Sequence, residues 1–175
     1  MNLSPQPLFS AADIARRVEE LAGDIAPHLG DDPLVLGILK GGFMFCADLC
    51  RALSRRGVQP QIEFMAVSSY GSGTVSSGTL RVLLEPPPPR GRTVLVVEDI
   101  LDSGNTLNRL TLWLQEQGAA RVLTCTLLDK PSRRQVAFSA DFVGFIIPDH
   151  FVVGYGIDYA ERHRELPYIG TVQTP

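Results

Sequence analysis

The segment Val94-Leu95-Val96-Val97-Glu98-Asp99-Ile100-Leu101-Asp102-Ser103-Gly104-Asn105-Thr106 passes from a β-branched apolar run through acids into small hydroxyl and amide side chains. Residues of these types in this order suit a phosphorylated sugar. Unpaired backbone N–H groups at a helix start, together with the helix dipole, favour an anion, so Ser103, Gly104, Asn105 and Thr106 are candidates to line a phosphate cradle. Glu98 and Asp99 stand at the strand end, where they can accept hydrogen bonds from a diol or lie near a Mg²⁺ ion that bridges phosphate and sugar. A buried strand leading into an Asp/Ser-capped helix would account for each residue singly, but not for the ordered combination. Neither a GxxxxGK[ST] loop nor a GxGxxG fingerprint occurs, which removes the main support for a nucleoside triphosphatase or a dinucleotide-binding protein.

Such a segment needs a scaffold that presents strand ends side by side. Ser10 followed by Asp13 resembles a capping box, and Ile14, Val18, Leu21 and Ile25 share one helical face, so the pattern predicts a helix over 11–26. Leu34 to Leu39 is a short apolar run that ends at Lys40-Gly41-Gly42, and Phe43 to Arg56 reads as a helix closed by Gly57. The same strand, turn and helix recur with Thr93–Val97 as strand, Glu98–Gly104 as an acidic turn and Thr106–Gln117 as helix, followed by a strand at Val122–Leu128. This alternation predicts an α/β fold with a mainly parallel central sheet, right-handed crossovers and ligands at the carboxyl ends of the strands. Gln61–Val67 and Thr79–Leu84 read as two further strands joined by a long Ser/Gly/Thr loop, about 68–78. Phe142–Ile147 and Val152–Tyr155 are expected to be short strands of a cap over the sheet, and Pro86 to Pro89 a stiff surface connection without a functional role.

A chain of 175 residues, 45% hydrophobic and 20% charged, suits one globular domain. The net charge of -3 and a pI near 5.6 argue against a general electrostatic grip on nucleic acid, so anionic ligands must be held by local design. Met1 to Ser10 has neither a positive n-region nor an apolar h-region, and no apolar stretch is long enough to span a bilayer, which points to a cytoplasmic protein without a membrane partner. Cys46, Cys50 and Cys125 are odd in number and lack CxxC spacing; they are expected to be reduced packing residues. His150 and His163 are expected at the surface, and Trp113 on a packed helix face.

The thirteen-residue segment resembles the phosphoribosyl pyrophosphate (PRPP) motif of type I phosphoribosyltransferases, with Glu98 and Asp99 at the family's ribose-binding acids. Leu39-Lys40-Gly41-Gly42 is similar to the family's pyrophosphate loop, and Ser69-Tyr70 to the start of the catalytic lid in its hypoxanthine-guanine branch. The resemblance runs over roughly residues 10 to 172. The C-terminal run of Lys130, Asp141-Phe142-Val143-Gly144-Phe145, Pro148-Asp149, Phe151-Val152-Val153-Gly154-Tyr155, Asp158-Tyr159 and Arg164 stands in the order of that branch.

The resemblance implies a type I phosphoribosyltransferase fold, one domain over 1–175, with a lid at about 68–78 and a small hood built from chain-terminal segments, including about 142–172. It implies transfer of the 5-phosphoribosyl group of PRPP to hypoxanthine or guanine with Mg²⁺, giving IMP or GMP and pyrophosphate, in a homodimer or homotetramer. Lys130 would donate to the purine 6-oxygen, Phe151 would stack on the ring, the Val152 carbonyl would accept from the N1 or 2-amino edge, and Asp158 would border the purine. Lys40, Gly41 and Gly42 would bind pyrophosphate, with a cis peptide at Leu39-Lys40, while Glu98 and Asp99 would serve the metal and Asp158 a second metal through bound pyrophosphate. Asp102, which also borders the phosphate, would accept the purine N7 proton; Lys130, Arg164, Ser69 and Tyr70 complete the catalytic set. Asn105 departs from relatives that carry Lys or an apolar residue there. A xanthine- or guanine-preferring enzyme of the same class is the nearest alternative. A PRPP-sensing regulator that binds nucleic acid through Arg51, Arg55 and Arg56 is a more distant one.

Overall fold

The computed structural model describes residues 5–68 and 81–172. Its elements in chain order are β1 (Gln6–Phe9), α1 (Ala11–Ile25), β2 (Leu34–Leu39), α2 (Phe43–Ser54), β3 (Gln61–Ser68), β4 (Arg81–Leu84), β5 (Thr93–Leu101), α3 (Asn105–Glu116), β6 (Arg121–Asp129), β7 (Phe142–Ile146), β8 (Val152–Val153) and β9 (Ile169–Thr171). Six strands form one sheet in the order β4-β3-β2-β5-β6-β7, parallel throughout except where β4 runs antiparallel to β3. A second sheet, β1-β9-β8, joins segments from the two ends of the described chain.

Side chains alternate across the pleat, so one strand feeds two cores. Val94 and Val96 of β5 meet Leu107, Leu110 and Leu114 of α3, while Leu95 and Val97 face the core built with α1 and α2. A sheet covered on both faces reads as an unbroken apolar run, which is why 94–97 shows no polar alternation. Gly37 of β2 lets α2 approach, since a Cβ there would lie 2.9 Å from the sulfur of Cys46 and from the Phe64 ring. The first helix starts as its sequence signature predicts: Ser10 Oγ accepts from the Asp13 amide at 3.1 Å, and the Ser10 amide donates to Asp13 Oδ2 at 3.0 Å. All three cysteines are buried and unbridged.

Two expectations change. Glu98 to Leu101 are strand rather than turn, because β5 keeps its register with β6 through Glu98↔Thr126, Ile100↔Leu128 and Leu101↔Asp129. Phe142–Ile146 does not belong to a cap: it is the edge strand of the main sheet, parallel to β6, with α1 anchored to it through Arg17, which donates to the carbonyls of Val143 and Gly144 at 2.8 Å. The hood strands are β1, β8 and β9 instead. Trp113 is partly buried against the α3 core, as its spacing suggests, and His150 is exposed.

Candidate active site

Because β2, β5 and β6 are adjacent and parallel, their carboxyl ends lie next to one another, and each carries one part of the site. At the end of β2 the Leu39-Lys40 peptide is cis. The chain then turns sharply, with the Gly42 amide donating to the Ile38 carbonyl at 3.1 Å and the Phe43 amide to the Lys40 carbonyl at 3.2 Å. A Cβ at Gly41 would overlap the Asp99 carboxylate, and one at Gly42 would lie 2.8 Å from the Ile38 carbonyl oxygen. The glycines are there for clearance: the loop crosses directly over the acidic end of β5.

Beyond Leu101, residues Asp102 to Gly104 turn into α3. Gly104 caps the helix at φ 85°, in the left-handed region where glycine is unstrained; it has no side chain to cap the first turn, and Ser103 Oγ accepts from the Asn105 amide at 3.2 Å. The cleft at this turn, about 170 Å³, is lined by Glu98, Ile100, Leu101, Asp102, Ser103, Gly104, Thr106 and Leu107. A neighbouring strip braces it. Arg134 donates to the carbonyls of Leu101 at 3.3 Å and Asp102 at 2.5 Å and forms an ion pair with Asp129. The Gln135 amide donates to the Ser103 carbonyl at 2.9 Å, and Asn105 Nδ2 donates to Gln135 Oε1 at 2.9 Å. Arg133 Nε donates to Asp102 Oδ1 at 3.1 Å.

At the end of β6, Lys130 is 8% exposed, and its backbone amide donates to the Leu101 carbonyl at 3.0 Å. A buried ammonium needs an acceptor. The nearest acid is Asp149, with Oδ1 3.9 Å from Nζ, which leaves room for a ligand oxygen as a closer partner. Phe151 and Tyr159 form an exposed edge-to-face pair with centroids 5.3 Å apart, and Val152 is buried in β8. The hood reaches the first loop at two points. Gly156 lies so close to the Gly41 carbonyl that a Cβ would not fit, and Lys40 Nζ is 2.6 Å from Glu161 Oε2. Tyr155 secures this part of the hood to α2 by donating its hydroxyl to Asp48 Oδ2 at 2.5 Å; burial and that carboxylate push its ionisation far up, so it remains a donor.

Glu98 is held against Asp99, whose amide donates to Glu98 Oε1 at 3.2 Å. Burial and the neighbouring negative charge both push the Glu98 carboxyl well above the usual range. Two crowded acids at a strand end are a setting that a cation relieves. Among the described residues no three His, Cys, Asp or Glu side chains gather into a metal cage. Asp158 in particular stands apart in the hood, accepting from the Glu161 amide at 2.8 Å and pairing with Arg164 at 3.2 Å. This donor set fits Mg²⁺, which keeps several waters and takes substrate oxygens beside one or two carboxylates.

Of the residues singled out from sequence, Glu98, Asp99, Asp102 to Thr106, Lys40 to Gly42 and Lys130 converge at the three strand ends, while Phe151, Val152, Asp158 and Arg164 lie in the hood region. Ser69 and Tyr70, with the rest of the expected lid, lie outside the described residues. The sequence reading passed over Arg133, Arg134, Gln135 and Glu161; two arginines within four residues of Lys130 were the only local signal. Each arginine of the basic cluster proposed as a nucleic-acid face is ion-paired, Arg55 and Arg56 sharing Glu19 and Arg51 lying on Asp48, so most of its charge is offset. A larger cavity of about 480 Å³ between α2 and β3 is lined mainly by apolar groups such as Val58, Ile62 and Phe64 and carries no acid.

Residues 8–160 match the family described as phosphoribosyl transferase domain. The chain is 46% identical over 176 residues to the hypoxanthine phosphoribosyltransferase of Escherichia coli (strain K12), covering 98% of this chain and 97% of the relative. It is 45% identical over 168 residues to the hypoxanthine-guanine phosphoribosyltransferase of Bacillus subtilis (strain 168), covering 95% and 92%. Among solved structures, it is similar to the hypoxanthine phosphoribosyltransferase from Trypanosoma cruzi in complex with the product IMP, with a TM-score of 0.90, 41% identity and coverage of 99% and 96%.

Proposed function

Since the chain belongs to the phosphoribosyl transferase family, we propose that it is a purine-salvage enzyme that transfers the 5-phosphoribosyl group of PRPP to hypoxanthine or guanine, giving IMP or GMP and pyrophosphate. The observation that carries this reading is the alignment of the three parallel strand ends, which sets a glycine loop, a helix start with glycine at its cap and a buried lysine beside one another. In this reading residues 1–175 work as one domain, with Ser69 and Tyr70 contributing a lid that excludes water from the reacting centre.

The 5-phosphate sits on the Ser103 to Thr106 turn, where the N-terminal end of α3 and the hydroxyls of Ser103 and Thr106 receive it. Glu98 and Asp99 accept from the ribose hydroxyls. Lys40 and the Gly41 amide hold the pyrophosphate, joined by Arg164 from the hood, while Gly42, whose own amide is taken by the Ile38 carbonyl, supplies the clearance that shapes the loop. Glu98 and Asp99, and Asp158 through bound pyrophosphate, would hold Mg²⁺, which would supply positive charge to offset that of the leaving group. Lys130 donates to the purine 6-oxygen, Phe151 stacks on the ring, and the Val152 carbonyl accepts from its N1 or 2-amino edge, with Asp158 at the border. N9 then forms its bond to the anomeric carbon as the bond to pyrophosphate breaks and the electron pair leaves with the pyrophosphate. Asp102 takes the proton from N7. The enzyme works in the cytoplasm as a homodimer or homotetramer in this reading; among the described residues no helix is long and apolar enough to cross a membrane.

An assay with PRPP and Mg²⁺ and with hypoxanthine, guanine, xanthine and adenine in parallel tests the proposal. IMP and GMP without AMP is the expected outcome and ranks the 6-oxopurines; no nucleotide from any base would overturn it. The Arg51, Arg55 and Arg56 cluster, with each arginine paired to Glu19 or Asp48, favours the enzyme over a nucleic-acid regulator.

A further inference from the structure

Glu161 joins the two cations assigned to pyrophosphate. Its Oε2 lies 2.6 Å from Lys40 Nζ at the end of β2, and its Oε1 lies 3.4 Å from an Arg164 guanidinium nitrogen in the hood. One carboxylate therefore uses both oxygens to bridge two elements that meet only at the site. Arg164 is otherwise only partly satisfied: it donates to the Gly156 carbonyl at 2.8 Å and pairs with Asp158 at 3.2 Å, but its buried Nε has no partner among the described residues.

The backbone presents Glu161 deliberately. Tyr159 and Arg162 exchange amide-carbonyl hydrogen bonds, each 3.0 Å, and the two residues between them, Ala160 and Glu161, have φ values of 50° and 62°. A two-residue turn with both central residues left-handed ordinarily takes Asn or Gly. Placing a glutamate at that tip puts a negative charge on a short arm directly opposite Lys40, while the Glu161 amide is fixed to Asp158 Oδ2 at 2.8 Å.

We propose that Glu161 is an internal competitor of pyrophosphate for Lys40 and Arg164. Each cation exchanges a carboxylate oxygen for a phosphate oxygen as pyrophosphate docks, and the reverse exchange helps it leave after transfer. A carboxylate carries one charge and pyrophosphate several, so the ligand wins when bound; Glu161 lowers the margin by which it wins. Both Lys40 and Glu161 are well exposed, which keeps the competition modest and sensitive to salt. Glu161 is thus a positioning residue for the two cations and not a group that touches the reacting atoms.

This inference rests on the pyrophosphate assignment above, and its test separates the two. Binding of inorganic pyrophosphate with MgCl2 would be measured by calorimetry on wild type, Glu161→Gln and Glu165→Gln, at low and at physiological salt. Glu165 is an exposed acid with no ion pair among the described residues, so its variant removes the same charge without touching either cation. Glu161→Gln should bind pyrophosphate roughly two- to fivefold more tightly than wild type at low salt, with a smaller gain at higher salt, and Glu165→Gln should match wild type. Tighter binding would also appear as stronger product inhibition by pyrophosphate. Unchanged or weaker binding in Glu161→Gln, or an equal gain in Glu165→Gln, overturns the competitor role while leaving the site intact. A wild-type protein that does not bind pyrophosphate overturns the assignment of Lys40 and Arg164 itself.

Discussion

Arg133 donates from Nε to Oδ1 of Asp102 at 3.1 Å while its Nη1 lies 3.5 Å from Oδ2 of Asp149, so one exposed guanidinium stands between the proton acceptor assigned to N7 and the acid nearest Lys130. An ion pair this exposed contributes about 0–1 kcal/mol. It holds the Asp102 carboxylate in place yet yields readily to a purine N7–H.

Asp102→Asn keeps the shape of the side chain and its contact with the cradle but cannot accept a proton. The variant should fold and bind PRPP as wild type does, while kcat falls by about 10²–10⁴-fold. Wild-type turnover with unchanged PRPP affinity would remove Asp102 from the proton step.

Lys130→Met tests base selection. Removing a buried charged donor costs about 1.5–3 kcal/mol in the hydrogen bond it makes, so kcat/KM for hypoxanthine should fall roughly 10- to 150-fold, with adenine, which lacks the 6-oxygen, little affected. Parallel competition assays with the two bases measure the ratio. An equal loss for both would mean that Lys130 supports the fold and not the purine edge.

Gly41→Ala places a methyl where the Asp99 carboxylate already lies. The loop or the acid must move, so PRPP binding should be lost well before stability is, as judged by calorimetry beside a thermal melt. Retained PRPP affinity would show that the loop and β5 can separate without consequence.

Much of this site could be read along the chain because its parts are local. The Ser103 to Thr106 turn and the Lys40 to Gly42 turn each announce themselves by residue type within a few positions. The end of β5 was hidden because Glu98 and Asp99 look like turn residues; only the register with β6 keeps them in strand. Phe142–Ile146 has the same apolar composition as a cap strand, and its place beside β6 is a matter of long-range pairing. Arg134 showed only its nearness to Lys130, and Glu161 left no trace, for a similar reason. Their partners are the carbonyls of Leu101 and Asp102, Asp129, and Lys40, and no spacing rule connects residue 161 to residue 40.

The Arg134–Asp129 pair is 17% and 12% exposed, and Arg134 also carries two carbonyls of the phosphate turn. Arg134→Met leaves Asp129 buried without its partner and should cost about 3–5 kcal/mol in urea unfolding. The double change Asp129→Leu with Arg134→Met should recover part of that loss. Stability equal to wild type in the single variant would show that the turn holds its shape without the brace.

The start of α1 makes a pH prediction. Hydrogen bonds from the Ser10 hydroxyl and then the Ser10 amide hold the Asp13 carboxyl below its ordinary value of 3.8. A carboxyl lowered in the folded state stabilises above the unfolded value and loses that effect as pH falls through the folded one. The stability difference between wild type and Ser10→Ala should therefore narrow below about pH 3.8, as followed by thermal melts across an acid series. A difference that stays constant through that range would detach the cap from the Asp13 charge.

The pairing of Gln6–Phe9 with Ile169–Thr171 also sets an order of events during synthesis. Strands β2, β5, β6 and β7 with their helices can associate before Ile169–Thr171 has left the ribosome, whereas β1 waits for that distant partner. The parallel strand ends with Lys40, Glu98, Asp99 and Lys130 are thus a scaffold present early, and the hood sheet is completed on it afterwards.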